Sequence, residues 1–121
     1  MRNKIDLRKL PPLNALKGFE ATTRRESVRE AAEELCLTQP AVSYQIQVLE
    51  QDLGVPLFSR TGRSLVPTAE GRLLYKHVRT ALEMLIEGAE TVRRTRAGTP
   101  LRVQTYVTAS IRWLARQPVT Y

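Results

Sequence analysis

Cysteine and histidine each occur once in the 121 residues. Cys36 can form no internal disulfide, which favours a reducing, cytoplasmic setting. With no resolving thiol beside it, it reads as a small buried hydrophobe rather than a redox sensor. His77 cannot build a metal site alone, and beside Lys76 and Arg79 it reads as a solvated surface residue. The sequence also lacks a glycine-rich phosphate loop, a convergent nucleophile and base, and a carboxylate pair, so no enzyme, cofactor or resident metal is expected. No apolar run approaches the roughly 20 residues of a membrane span. The start, "MRNKIDLRKLPPLNALKGF", has no unbroken apolar core, so no signal peptide is expected. Acid is missing locally: none lies between Asp52 and Glu70, the interval that holds Arg60 and Arg63.

With 42% hydrophobic and 26% charged residues, the composition is that of a globular chain. The net charge of +7 favours an anionic partner such as nucleic acid, an acidic protein or a membrane surface. The charge is uneven. Residues 1–68 carry 10 basic and 8 acidic side chains, whereas residues 69–121 carry 9 and 4. Nucleic-acid binding by the first part would therefore rest on individually placed groups.

A basic lead, residues 1–10, reads as flexible and ends at Pro11-Pro12. Leu13, Leu16 and Phe19 recur as on a short amphipathic helix running to about Arg25. Ser27 with Glu30 forms a capping-box pattern for a second helix, Val28 to Leu35, whose adjacent Ala31 and Ala32 permit close helix crossing. "CLT" then breaks the chain. In "TQPAVSYQIQVLEQDLGVPLF" (residues 38–58), Thr38 is an N-cap, Pro40 sits in the first turn, and Gly54 is the expected terminator after Leu53. Val42, Ile46, Leu49 and Leu53 form the predicted buried stripe of this third helix. Opposite it lie Pro40, Tyr44, Gln47 and Gln51, with Ser43 on the flank. Residues 57–60 and 64–66 read as paired strands around Thr61-Gly62, closed by Pro67. From Ala69 to about Arg94 a near-heptad stripe runs through Leu74, Val78, Ala81, Leu85, Ala89 and Val92, widened by Leu82 and Ile86. A strand-like "LRVQTYV" and a helix-like "ASIRWLAR" close the chain; Tyr106 and Trp113 there read as core residues of a larger unit.

Three helices, the second and third joined by a three-residue turn, then a two-stranded ribbon, make a winged helix-turn-helix plan. A helix entering the major groove meets base edges with its N-terminal residues, and neutral donors and acceptors discriminate there better than lysines. Gln39, Pro40, Ser43, Tyr44 and Gln47 are the candidate readers. Thr38 and the helix N-terminus suit a phosphate. Arg60 and Arg63 can reach the DNA backbone or the adjoining minor groove. The blander readings are an ordinary polar helix face and solvated turn arginines. The long stripe could pack back on its own head, although a 25-residue helix of about 38 Å is longer than a small head can cover.

These motifs in this order, "AAEEL", "TQPAVS", "LEQDLGVPLFSR" and "PTAEG", resemble the DNA-binding head of LysR-type transcriptional regulators over about residues 11 to 94. "PPLNALKGFE" and "IRWL" resemble the branch that includes the glycine-cleavage regulator. The resemblance implies a mainly α fold. Residues 11–68 would form the winged helix-turn-helix domain of three helices and a β wing, its helix-turn-helix motif at about 28–47. Residues 69–96 would be the linker helix and 97–121 a stub of effector domain. It implies a homodimer joined by antiparallel linker helices, with a seam of Leu74, Val78, Ala81, Leu82, Leu85, Ala89 and Val92. The partner would be double-stranded DNA carrying an interrupted palindrome. Gln39, Pro40, Ser43, Tyr44 and Gln47 would face the major groove, while Thr38 and Arg60 or Arg63 would touch backbone or minor groove. The expected function is sequence-specific promoter binding and regulation of transcription, with no membrane association and, in so short a chain, no small-molecule inducer. The alternative is a short form that modulates full-length relatives by pairing alone, which would need no intact reading face. Departures from the family pattern are Tyr44 where many members have Arg, Glu30 where many have Lys or Arg, Val28 for an aromatic and Pro67 for Leu.

Overall fold

The computed structural model describes residues 3–61 and 64–96. Arg63 and the closing segment 97–121, with Tyr106 and Trp113, lie outside the described residues. After a 3-10 turn at Leu7–Lys9, capped by the Asp6 side chain, come α1 (Leu13–Arg25), α2 (Val28–Leu35), α3 (Gln39–Leu53), β1 (Phe58–Thr61), β2 (Ser64–Pro67) and α4 (Ala69–Arg96). The strands pair antiparallel, Phe58 opposite Pro67 and Thr61 opposite Ser64. This is the expected plan of three helices, a two-stranded wing and a long helix.

The helix limits follow from local chemistry. The Ser27 hydroxyl accepts the Glu30 N–H at 3.0 Å and the Thr38 hydroxyl accepts the Ala41 N–H at 3.2 Å, each replacing a bond the first turn lacks. Gly54 ends α3 in the left-handed region at φ 77°. Helix α2 ends on Cys36, also left-handed at φ 57°. The Leu37 N–H reaches the Ala32 carbonyl at 2.9 Å and the Cys36 N–H that of Glu33 at 3.2 Å, the pattern of a Schellman turn. That turn points Cys36 outward, so the thiol is exposed rather than buried as expected.

Of the described residues, those up to Val78 form one compact unit and those from Arg79 belong to another. In the first, Ala21, Ala31, Ala32, Val42 and Ile46 make a core where the small alanines let α1, α2 and α3 meet closely, with Val28, Leu35 and Phe58 against it. Phe19 is fully buried, its ring centroid 5.7 Å from that of Phe58 and 6.4 Å from that of Tyr75, so it ties α1 to the wing and to the start of α4. Each such large apolar side chain stabilises the fold by about 1.5–3 kcal/mol. Two expectations fail at the edges. Leu53, in the last turn of α3, is 40% exposed because the core ends one turn earlier, at Leu49; Leu13, at the start of α1, is exposed as well. In the second unit, residues 79–96 of α4 carry an Arg79–Glu83 pair at 3.0 Å, one turn apart.

Candidate nucleic-acid interface

Helix α3 contributes Val42, Ile46 and Leu49 to the core, and what remains on its far side is the candidate reading face. Gln39, Pro40, Ser43, Tyr44, Gln47 and Gln51 are all exposed there, Tyr44 at 66%. Gln45 differs. Its side chain turns inward to Gly18 of α1, and its Oε1 is buried where a Cβ on Gly18 would collide with it. At the helix start Pro40 has no N–H and the Ala41 N–H is bound by Thr38. The Gln39 N–H and the Thr38 hydroxyl proton are therefore the donors at this end suited to an incoming phosphate.

Two contacts that the sequence reading missed set where the wing stands relative to α3. The Glu50 carboxylate accepts the N–H groups of Leu57 at 2.7 Å and Phe58 at 3.4 Å, anchoring the first strand to α3. Thr68 closes the other strand: its N–H donates to the Leu57 carbonyl at 2.9 Å, its hydroxyl to the Pro56 carbonyl at 2.9 Å, and the same hydroxyl accepts the Gly71 N–H at 3.0 Å. The only sequence signals for these were Glu50 inside the "LEQDLG" motif and the Thr68–Gly71 spacing. As a result Arg60, on β1, lines one groove with Ser43 and Gln47 of α3, over a floor of Val28, Ile46, Phe58 and Leu65. Arg60 is exposed and has no carboxylate partner among the described residues.

The arginines of the α1–α2 end are paired locally. Arg24 pairs with Glu20 and Glu34, Arg25 with Glu34 and Glu30, and Arg29 with Glu33 and Glu30. Hydrogen bonds from Arg24, then Arg25, hold the Glu34 carboxyl down at about 2, against a usual 4.5, and Arg24 is pushed upward by Glu20 and Glu34. These arginines therefore offer little attraction to DNA, whereas Arg60 on the wing is an exposed cation with no carboxylate partner among the described residues.

Along α4 the expected seam residues differ in what they can still bury. Val78 is 6% exposed and already belongs to the interior of the head, so it has little surface left for a partner. Leu74, Leu82 and Ala89 are half-buried and Ala81 is exposed. Leu85 at 63% and Val92 at 67% expose most of their apolar surface. Among the described residues no cluster of side chains could hold a metal ion and no helix is long and apolar enough to cross a membrane.

Comparison with known proteins bears on this geometry. A family model described as bacterial regulatory helix-turn-helix protein, lysR family, matches residues 13–72. The glycine cleavage system transcriptional activator of Escherichia coli K12 is 41% identical over 107 residues, covering 88% of this chain and 35% of that protein. Its homolog in Haemophilus influenzae is also 41% identical over 107 residues, 88% of this chain and 36% of that one. The chain thus spans about a third of the length of the curated relatives it matches. Among solved structures, a BenM_DBD/catB site 1 DNA complex superposes with a TM-score of 0.68 at 32% identity, covering 74% of this chain and 96% of that one.

Proposed function

Because the chain belongs to the lysR family of bacterial regulatory helix-turn-helix proteins, we propose that it binds promoter DNA sequence-specifically as a homodimer and so regulates transcription in the bacterial cytoplasm, with no catalytic activity of its own. The observation that carries this reading is the uncharged, exposed face of α3 standing beside a wing arginine with no carboxylate partner among the described residues. Gln39, Pro40, Ser43, Tyr44 and Gln47 read base edges in the major groove. Thr38 and the Gln39 N–H hold one phosphate. Arg60 or Arg63 holds the backbone or enters the minor groove.

Pairing through α4 sets the spacing of the two heads. Leu74, Leu82, Leu85, Ala89 and Val92, with Ala81, supply the seam, since these retain apolar surface that water would otherwise cover. A chain that acted by pairing alone would have no use for an exposed, uncharged reading face.

Fluorescence anisotropy tests the proposal. A duplex with an interrupted palindrome and the same duplex with both half-sites scrambled are titrated over a salt series. The expected result is a preference for the palindrome that persists at physiological salt, and an Arg60→Ala variant whose affinity for every duplex drops and whose salt slope is flatter by about 1. Equal, steeply salt-dependent binding to both duplexes would refute sequence reading. No binding by a chain shown to be dimeric would leave pairing as its role.

A further inference from the structure

Resting on the proposal that the chain pairs through antiparallel α4 helices, we propose that residues 4–10 make a second dimer contact. They form an apolar and basic turn that packs on the partner's α4 around its Ile86. The Asp6 carboxylate closes this turn, accepting the Arg8 N–H at 3.1 Å and the Arg8 Nε–H at 3.0 Å. The turn is held in shape, yet none of its residues is buried. Ile5, Leu7 and Leu10 are 76%, 69% and 56% exposed, and Leu13, just past Pro11-Pro12, is 51% exposed. Four such side chains on one short stretch make an apolar patch of the kind that marks an interaction site. The match to the lysR family model begins at residue 13, so the turn lies outside it.

The patch also carries charge. Lys4 and Lys9 are exposed and have no carboxylate partner among the described residues. A phosphate backbone would satisfy these cations but leave the apolar side chains in water. A helix face that is both apolar and acidic satisfies both, and α4 has one. Residues 80–92 hold three carboxylates, Glu83, Glu87 and Glu90, and no cation. Helical periodicity places the three within about 60° of one another, with Ile86 about 40° from Glu90 on their edge. Ile86 is 56% exposed. The seam does not reach it, since Leu85 and Val92 lie about 100° and 120° around the helix from it.

Position and area agree with this occupant. Tyr75, near the start of α4, touches Phe19 and Glu20 of α1. An antiparallel partner that sets its Val92 against Leu74 therefore runs the second half of its α4 past α1, the helix that the turn precedes. The seam by itself is short of surface. Leu85 and Val92 together offer about 130 Å², taking about 100 Å² of apolar surface for a fully exposed side chain of this size, whereas a stable interface covers about 800 Å² per partner. On the same scale Ile5, Leu7, Leu10 and Leu13 add about 250 Å².

The test uses the full chain. Ile5→Ser combined with Leu7→Ser, both outside the core, should leave the helix content by circular dichroism unchanged. The same pair should raise the dimer dissociation constant in sedimentation by about 10- to 100-fold. In parallel, a benzophenone side chain placed at position 7 is photolysed in mixed dimers of isotopically light and heavy chains, with a DNA duplex added. Cross-links should join position 7 of one copy to residues 79–96 of the other. The inference is overturned if the double variant dimerises as wild type does. It is overturned equally if position 7 cross-links only within its own copy, to the duplex, or to a part of the partner other than α4. A wild-type chain that stays monomeric would refute pairing through α4 itself, and this contact with it.

Discussion

Gly71 and Gly88 lie on the same helix, and replacing each by alanine should change stability in opposite directions. A Cβ on Gly71 would overlap the Leu57 carbonyl oxygen and come within 3.2 Å of its carbonyl carbon and 3.5 Å of its Cα. That carbonyl cannot swing aside cheaply. It accepts the Thr68 N–H, while the Leu57 N–H is held by Glu50 and the Leu57 side chain is 1% exposed in the core. Moving it weakens a hydrogen bond worth about 1 kcal/mol and disturbs a filled core at about 1–3 kcal/mol. Alanine returns up to about 1 kcal/mol of helix propensity, leaving a net loss of about 2 kcal/mol. Around Gly88 nothing lies within 4 Å of an added Cβ, so only the propensity gain remains, about 0.5–1 kcal/mol. For a domain of this size these figures correspond to a Tm lower by about 8–16 °C for Gly71→Ala and higher by a few degrees for Gly88→Ala. Thermal and urea unfolding followed by far-UV circular dichroism measures both. A Gly71→Ala chain as stable as wild type would refute the close packing of α4 on the wing strand.

Glu50→Ala should cost about 1–3 kcal/mol in urea unfolding, because two strand N–H groups lose a charged acceptor; an unchanged midpoint would show that the wing is held by other contacts. Acid should weaken the head through Glu34. Its folded pKa of about 2 lies below the ordinary 4.5, so its stabilising effect is complete above the unfolded value and is lost as pH falls toward 2. With Arg25 43% exposed, screening reduces that effect to about 1 kcal/mol, and Glu34→Gln should remove most of it, visible as a flatter stability profile between pH 5 and pH 2. Leu85→Asp should disperse the proposed dimer in sedimentation at micromolar concentration while leaving the head's helix content intact; a dimer that survives would place the seam elsewhere on α4.

The limits of α1, α2 and α3 were legible because each is set by a group within a few residues of it. Ser27 and Thr38 cap the next turn, Pro40 suits the first turn, and Gly54 takes the left-handed position. The exposed polar face of α3 was legible for a related reason. Once Val42, Ile46 and Leu49 are inside, helical periodicity alone puts Tyr44 and Gln47 outside. Periodicity overreached where the neighbouring structure stops. It counted Leu53 into the core although α3 runs past its partners, and it did not show that Val78, expected on the seam, is already buried within the head. Cys36 was misread because composition ranks a thiol as buried, whereas the Schellman turn between the two helices turns it outward.

The sequence by itself determined the order and kind of the elements and which side chains of α3 face outward, because caps, turn residues and a 3.6-residue period act over a few positions of chain. Only the tertiary structure decided where those side chains stand. The clamp of Glu50 on Leu57, the bond of Thr68 to the same residue, the fit of Gly71 beneath it and the Tyr75–Glu20 contact at 3.4 Å join residues far apart along the chain. Such partners are selected by packing after the elements have formed, and nothing in local spacing marks them in advance. It is this set of contacts that brings Arg60 into one groove with Ser43 and Gln47.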